Sequence, residues 1–127
     1  MPKREVGRRM GKINSRQKGA RGERQLAKKL SEYGYECRRG VQYQGSPDSP
    51  DVIGLPNLHI ECKCVERLNI IDAMEQSKRD AGESEIPVVM HKRNYTEWLC
   101  TLRLDDFMKL YSEYEQNNDK ELGTSET

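Results

Sequence analysis

Apolar positions along the chain change their period several times, and each change marks an element. Leu26, Ala27 and Leu30 recur at helical spacing within the stretch Lys18 to Leu30, and Tyr33-Gly34-Tyr35 closes that helix with Gly34 as its stop. Tyr35 to Arg39 reads as a short strand. Val52-Ile53 and the run from Leu58 to Val65 flank the turn signal Pro56-Asn57, which is the pattern of a β-hairpin. A helical pattern follows over Ile70 to Ala81, ending at Gly82. Pro87 to Lys92 reads as a strand, and Thr96 to Leu102 as another in which Trp98, Cys100 and Leu102 alternate. Asp105-Asp106 cap a last helix from Phe107 to about Glu115, with Phe107, Leu110, Tyr111 and Tyr114 spaced as an inner stripe. The predicted order is α-β-β-β-α-β-β-α, an α/β fold with a mixed sheet flanked by helices.

The hairpin carries the chemistry. Period-two alternation on its second strand puts His59, Glu61, Lys63 and Val65 on one face and Leu58, Ile60, Cys62 and Cys64 on the other, and the second set is expected to be core. The first set places a carboxylate beside an ammonium. If Asp51 stands opposite Glu61, the connection has an odd length and two carboxylates converge next to Lys63; a tight two-residue turn would pair Asp51 with Cys62 and spoil the site. Two carboxylates at one point suit a hard divalent cation such as Mg²⁺, which takes oxygen ligands. Such an ion activates water and stabilises charge on a phosphoryl oxygen, with Lys63 as the cation that orients the nucleophile or neutralises the transition state. The plain alternative is a surface ion pair between strand neighbours. Glu23 falls in or near the first turn of the first helix, on the side of Leu26. It is either a dipole-stabilised carboxylate or a third acidic group facing the metal.

Helix Glu23 in Gly-x-x-x-Glu-Arg-x-Leu, the strand Gly-Tyr-Glu-Cys-Arg-Arg, and Pro50-Asp51 followed by Glu61-Cys62-Lys63 together resemble the PD-(D/E)XK nuclease superfamily. The similarity covers roughly residues 18 to 110 and is nearest to its small members, the archaeal-type Holliday-junction resolvases and the phage-borne VRR-NUC-like enzymes. The resemblance implies a restriction-endonuclease-like core and a Mg²⁺- or Mn²⁺-dependent endonuclease that hydrolyses DNA phosphodiesters, on branched or junction DNA by preference, in DNA recombination. Asp51 and Glu61 would be the principal metal ligands, helped by the backbone carbonyl of Cys62, with Glu23 completing the acidic cluster. Lys63 would be the catalytic lysine, and Gln76 on the next helix a supporting residue. Asp48 in the second Pro-Asp is the rival to Asp51; it lies in a Gly-Ser-Pro-rich loop, whereas Asp51 leads the apolar Val52-Ile53 run. Resolvase-like enzymes work as homodimers, so a homodimer is expected, with neither a membrane nor a small-molecule cofactor. The rivals are a flap- or restriction-type nuclease, a non-catalytic DNA-binding or replication accessory protein that kept the fold, and an interaction module.

Charge distribution favours a polyanion partner. Net charge is only +1, but residues 1–24 hold nine Lys/Arg against Glu5 and Glu23, a net of +7 that leaves −6 for the remainder. Residues 1–17 are therefore expected as a basic, flexible arm, 18–115 as the nuclease domain and 116–127 as a polar, disordered tail. Arg8, Arg9, Lys12, Arg16, Lys18 and Arg21, with Lys92 and Arg93 at the end of the fourth strand, are the DNA-binding candidates. At 127 residues the chain is one domain with no apolar run of membrane length. Four cysteines and two histidines could be read as a zinc site. No Cys-x-x-Cys pair exists, and alternate positions of a central strand rarely supply zinc ligands, so Cys37, Cys62, Cys64 and Cys100 read as free thiols. Reduced cysteines and the lack of a signal-peptide pattern fit an intracellular protein. His59 is expected partly exposed, within reach of substrate.

Overall fold

A computed structural model describes residues 2–40 and 49–126, with side chains from 17 to 40 and from 49 to 121. The elements follow the predicted order: α1 Pro2–Ser31, β1 Arg38–Arg39, β2 Val52–Ile53, β3 Leu58–Cys64, α2 Ile70–Asp80, β4 Ile86–Lys92, β5 Leu99–Leu102 and α3 Leu104–Glu126. The five strands form one sheet in the order β1-β2-β3-β4-β5. Only β3 and β4 are parallel, joined by the crossover helix α2; the other pairs are antiparallel.

The central pair is buried on both faces, which is why β4 reads Pro87-Val88-Val89-Met90 without alternation. α1 covers one face, where Leu26 and Ala27 pack with Val52, Ile60, Val88 and Met90. α2 covers the other, where Ala73 and Met74 pack on Val89. Burying each such side chain is worth about 1.5–3 kcal/mol. Two devices fix the helices. In α1, a Cβ on Gly22 would lie 2.7 Å from the Cys64 sulfur, so glycine there lets the helix rest directly on β3. In α2, the fully buried Ser77 hydroxyl lies 3.1 Å from the His59 carbonyl and 3.3 Å from the Val88 carbonyl, tying the helix to both parallel strands. The Asn69 side chain caps the start of α2 by accepting from the Asp72 amide at 3.1 Å.

Several boundaries differ from the sequence reading. α1 begins at Pro2, so the backbone is helical through the residues expected as a flexible arm; its Arg, Lys, Met and Gln residues are good helix formers. β5 runs only from Leu99 to Leu102, because Thr96 is taken up in closing the turn after β4, its amide donating to the Arg93 carbonyl. α3 continues to Glu126, through the segment expected as a disordered tail. The larger correction concerns its stripe. Phe107, Leu110, Tyr111 and Tyr114 are exposed, not inner, and α3 follows the edge strand β5 rather than a strand of the sheet's centre. Among the described residues, no helix is long and apolar enough to cross a membrane.

Candidate functional site

The hairpin register brings the two hairpin carboxylates together. Val52 pairs with Ile60, so Asp51 comes alongside Glu61, as the odd-length connection requires. The turn itself follows from sequence: Asn57 adopts φ 70°, and the Leu58 amide donates to the Leu55 carbonyl at 3.3 Å, with Pro56 at the preceding position. The Asp51 amide donates to the Ile60 carbonyl at 2.8 Å, and its carboxylate accepts from the Cys62 amide at 2.9 Å. In an extended strand a residue's N–H and C=O leave on the same flank, so the Cys62 carbonyl is directed at this edge too.

Glu23, Asp51, Glu61, Lys63 and Gln76 all line one open cleft of about 480 Å³, together with Lys18. Three elements contribute. β2 and β3 supply the carboxylates and lysine, α2 brings Gln76 to within 3.4 Å of the Lys63 ammonium, and α1 brings Glu23. Glu23 Oε1 also accepts from Arg39 Nε at 2.8 Å, an ion pair that holds the carboxylate at the cleft's margin. Burial pushes the Glu61 carboxyl up from its ordinary 4.5 to about 8; the neighbouring Asp51 adds to the rise, and Lys63 opposes it. Two oxygen-donor groups pressed together at that cost are a donor set a divalent cation would relieve. The residues therefore fit Mg²⁺ or Mn²⁺, held by Asp51 and Glu61.

His59 is corrected by the structure. It is buried, not partly exposed, because α2 covers the strand face that alternation left open. Its Nε2 stands 3.3 Å from Glu61 Oε1, and its Nδ1 faces Glu85 at 3.5 Å. Among the described residues, ligand atoms of His59, Glu61 and Asp80 lie within 4.8 Å of one another, so Glu61 belongs both to the open cleft and to a buried polar group behind it. Asp80 and Glu85 were missed as site neighbours. Asp80 and Glu85 lie at the end of α2 and before β4, and only the crossover brings them behind β3. Gly22 was missed for the same reason.

The cations divide. Lys18, Arg21, Lys92 and Arg93 line a second cavity of about 540 Å³, which adjoins the cleft through Lys18 and Cys64 and also involves Tyr95. Arg8, Arg9, Lys12 and Arg16 lie outside the residues whose side chains are described, and Asp48 lies outside the described residues altogether. Burial pushes the Cys62 thiol up, and Cys64 and Cys37 likewise, which keeps these sulfurs protonated and poor as metal ligands.

Comparisons with known proteins agree with this fold. A family model described as "Phage putative PDDEXK endonuclease" matches residues 14–126. No curated protein matches the chain. Among solved structures, the chain is similar to Hjc, a Holliday junction resolvase from the archaeal hyperthermophile Archaeoglobus fulgidus. The TM-score is 0.53 at 27% identity, covering 66% of this chain and 76% of that one. The chain belongs to the phage PDDEXK endonuclease family and is a PD-(D/E)XK-type nuclease with a resolvase-like fold.

Proposed function

We propose that this PD-(D/E)XK chain is a Mg²⁺- or Mn²⁺-dependent endonuclease of branched DNA, acting inside the cell as a homodimer. The observation that carries the reading is the convergence of Asp51 and Glu61 beside Lys63 in an open cleft. Asp51 and Glu61, with the Cys62 carbonyl and Glu23, would hold the ion, which when bound polarises a phosphoryl oxygen and acidifies a water. Lys63 presents its ammonium to the charge that develops as water adds to phosphorus and the P–O bond breaks, and Gln76 holds that ammonium in place. His59 supports Glu61 from behind. Lys18, Arg21, Lys92 and Arg93 would neutralise backbone phosphates beside the cleft, extended by Arg8, Arg9, Lys12 and Arg16 along α1. The likeness to a Holliday junction resolvase supports branched DNA as the substrate class. Support for the dimer comes from α3, whose Phe107, Tyr111 and Tyr114 form a ring ladder with centroids 6.2 Å apart and remain exposed among the described residues. A second copy would bury that stripe and set two sites for paired cuts.

The test is cleavage of linear, flapped and four-way DNA with and without Mg²⁺. Asp51→Asn and Glu61→Gln are expected to abolish cutting while DNA binding is kept or tightened, since negative charge near the phosphates is removed. Lys63→Ala is expected to slow turnover by about 10²–10³. Cutting at the wild-type rate by Glu61→Gln would remove the assignment.

A further inference from the structure

The turn between β4 and β5 is built from a residue its geometry disfavours. The Thr96 amide donates to the Arg93 carbonyl at 3.3 Å, closing a four-residue turn in which Tyr95 holds the third position at φ 63°. A positive φ at that position suits glycine or asparagine, and a bulky side chain is sterically costly there. Asparagine is present in the turn, but one residue too early to relieve it. The Tyr95 ring gains nothing in return from the fold, because it is fully exposed. The turn is nonetheless firmly held. The Thr96 hydroxyl accepts from the Arg93 amide at 3.0 Å, and the Asn94 amide donates to Glu66 at 3.1 Å. A rigid turn thus presents one bare aromatic ring at the rim of the cavity lined by Lys18, Arg21, Lys92 and Arg93.

We propose that Tyr95 is a base-stacking residue that receives an unstacked nucleobase where a DNA duplex is interrupted, and so sets the preference for branched over continuous DNA. The proposal rests on the nuclease reading of the adjoining cleft. Cations neutralise phosphates on any duplex and cannot tell a branch from a straight helix. In continuous duplex every base is already stacked on its neighbours, so an exposed ring finds no free π-face. At a junction, flap or bulge a base is released, and stacking on an aromatic side chain raises affinity roughly 5–150-fold. Steric cost at the turn and gain at the DNA then explain the same residue.

The experiment measures binding of the full chain, in EDTA, to a continuous duplex and to the same duplex carrying a four-way junction or an unpaired 2-aminopurine. Wild type should favour the interrupted DNA and quench the 2-aminopurine. Tyr95→Asn should lower the ratio of interrupted to continuous affinity by roughly 5–150-fold and abolish the quenching. Its melting temperature should equal or exceed that of wild type, because asparagine suits the turn. Tyr95→Phe should keep both ratio and quenching. An unchanged ratio in Tyr95→Asn, or a fallen ratio accompanied by a fallen melting temperature and not restored in Tyr95→Phe, overturns the stacking role. Metal-dependent cleavage measured alongside separates the two failures: an unchanged ratio in a protein that cuts DNA overturns only the role of Tyr95, whereas a wild type that neither binds nor cuts overturns the nuclease reading with it.

Discussion

The β3–β4 centre of the sheet and its β5–α3 end draw on similarly apolar sequence, yet they are finished differently. At the centre, α1 and α2 close both faces, Gly22 and Ser77 fix the closures, and even His59 and Glu61 are driven into the interior. At the other end, Leu99 on the edge strand and, among the described residues, six apolar or aromatic side chains of α3 remain open to solvent. The difference teaches where precision is needed. Carboxylates whose charge is to be useful must be held close together against their repulsion, and only a doubly covered strand holds them there. An exposed apolar stripe on a surface helix needs no such closure.

The sharpest way to test the centre is through proton linkage at Glu61. Its carboxyl ionises near 4.5 in the unfolded chain but only around pH 8 in the fold. The folded protein therefore binds the extra proton, so the metal-free fold is most stable at low pH in this window and loses stability as pH rises from about 4.5 to about 8. A divalent ion must displace that proton. Its affinity should rise by about tenfold per pH unit up to about pH 8 and then level off. Calorimetry of Mg²⁺ binding from pH 6 to 9 checks this, with Glu61→Gln giving a flat profile; a flat profile in wild type would mean Glu61 is no ligand.

A smaller effect is expected from Gly22→Ala. The added methyl would meet the Cys64 sulfur and push α1 off β3, at a cost of about 1–3 kcal/mol in denaturant unfolding. Because Glu23 is the next residue, cleavage should fall along with stability. The smallest effect on the fold belongs to the open end. Tyr111→Ser should change stability by no more than about 0.5 kcal/mol, while light scattering should show the proposed dimer lost. If Tyr111→Ser unfolds the chain as severely as Gly22→Ala, the two regions are not different in kind.

The order of the eight elements, the turn at Pro56-Asn57 and the face on which Lys63 stands with Glu61 were legible in the sequence, because they follow from local periods and from a turn encoded within four residues. The odd-length connection followed only from requiring Asp51 to stand opposite Glu61. The five residues that line the cleft were named in two ways: Asp51, Glu61 and Lys63 from the hairpin, and Glu23 and Gln76 from the resemblance to PD-(D/E)XK nucleases. Only the tertiary structure decided which faces are covered. A strand's alternation names its two sides but does not say whether a helix will lie on the polar one, so the burial of His59 behind Glu61 became visible only once α2 was laid over β3. Helical spacing in α3 likewise announces an apolar stripe without naming what it meets, and here the stripe stays exposed among the described residues. The same holds for Tyr95, an ordinary letter in a turn until its backbone angle and its bare ring are seen beside four cations. Local periodicity is written in neighbouring residues, whereas coverage depends on elements far apart in the chain, and that is where sequence reading stopped.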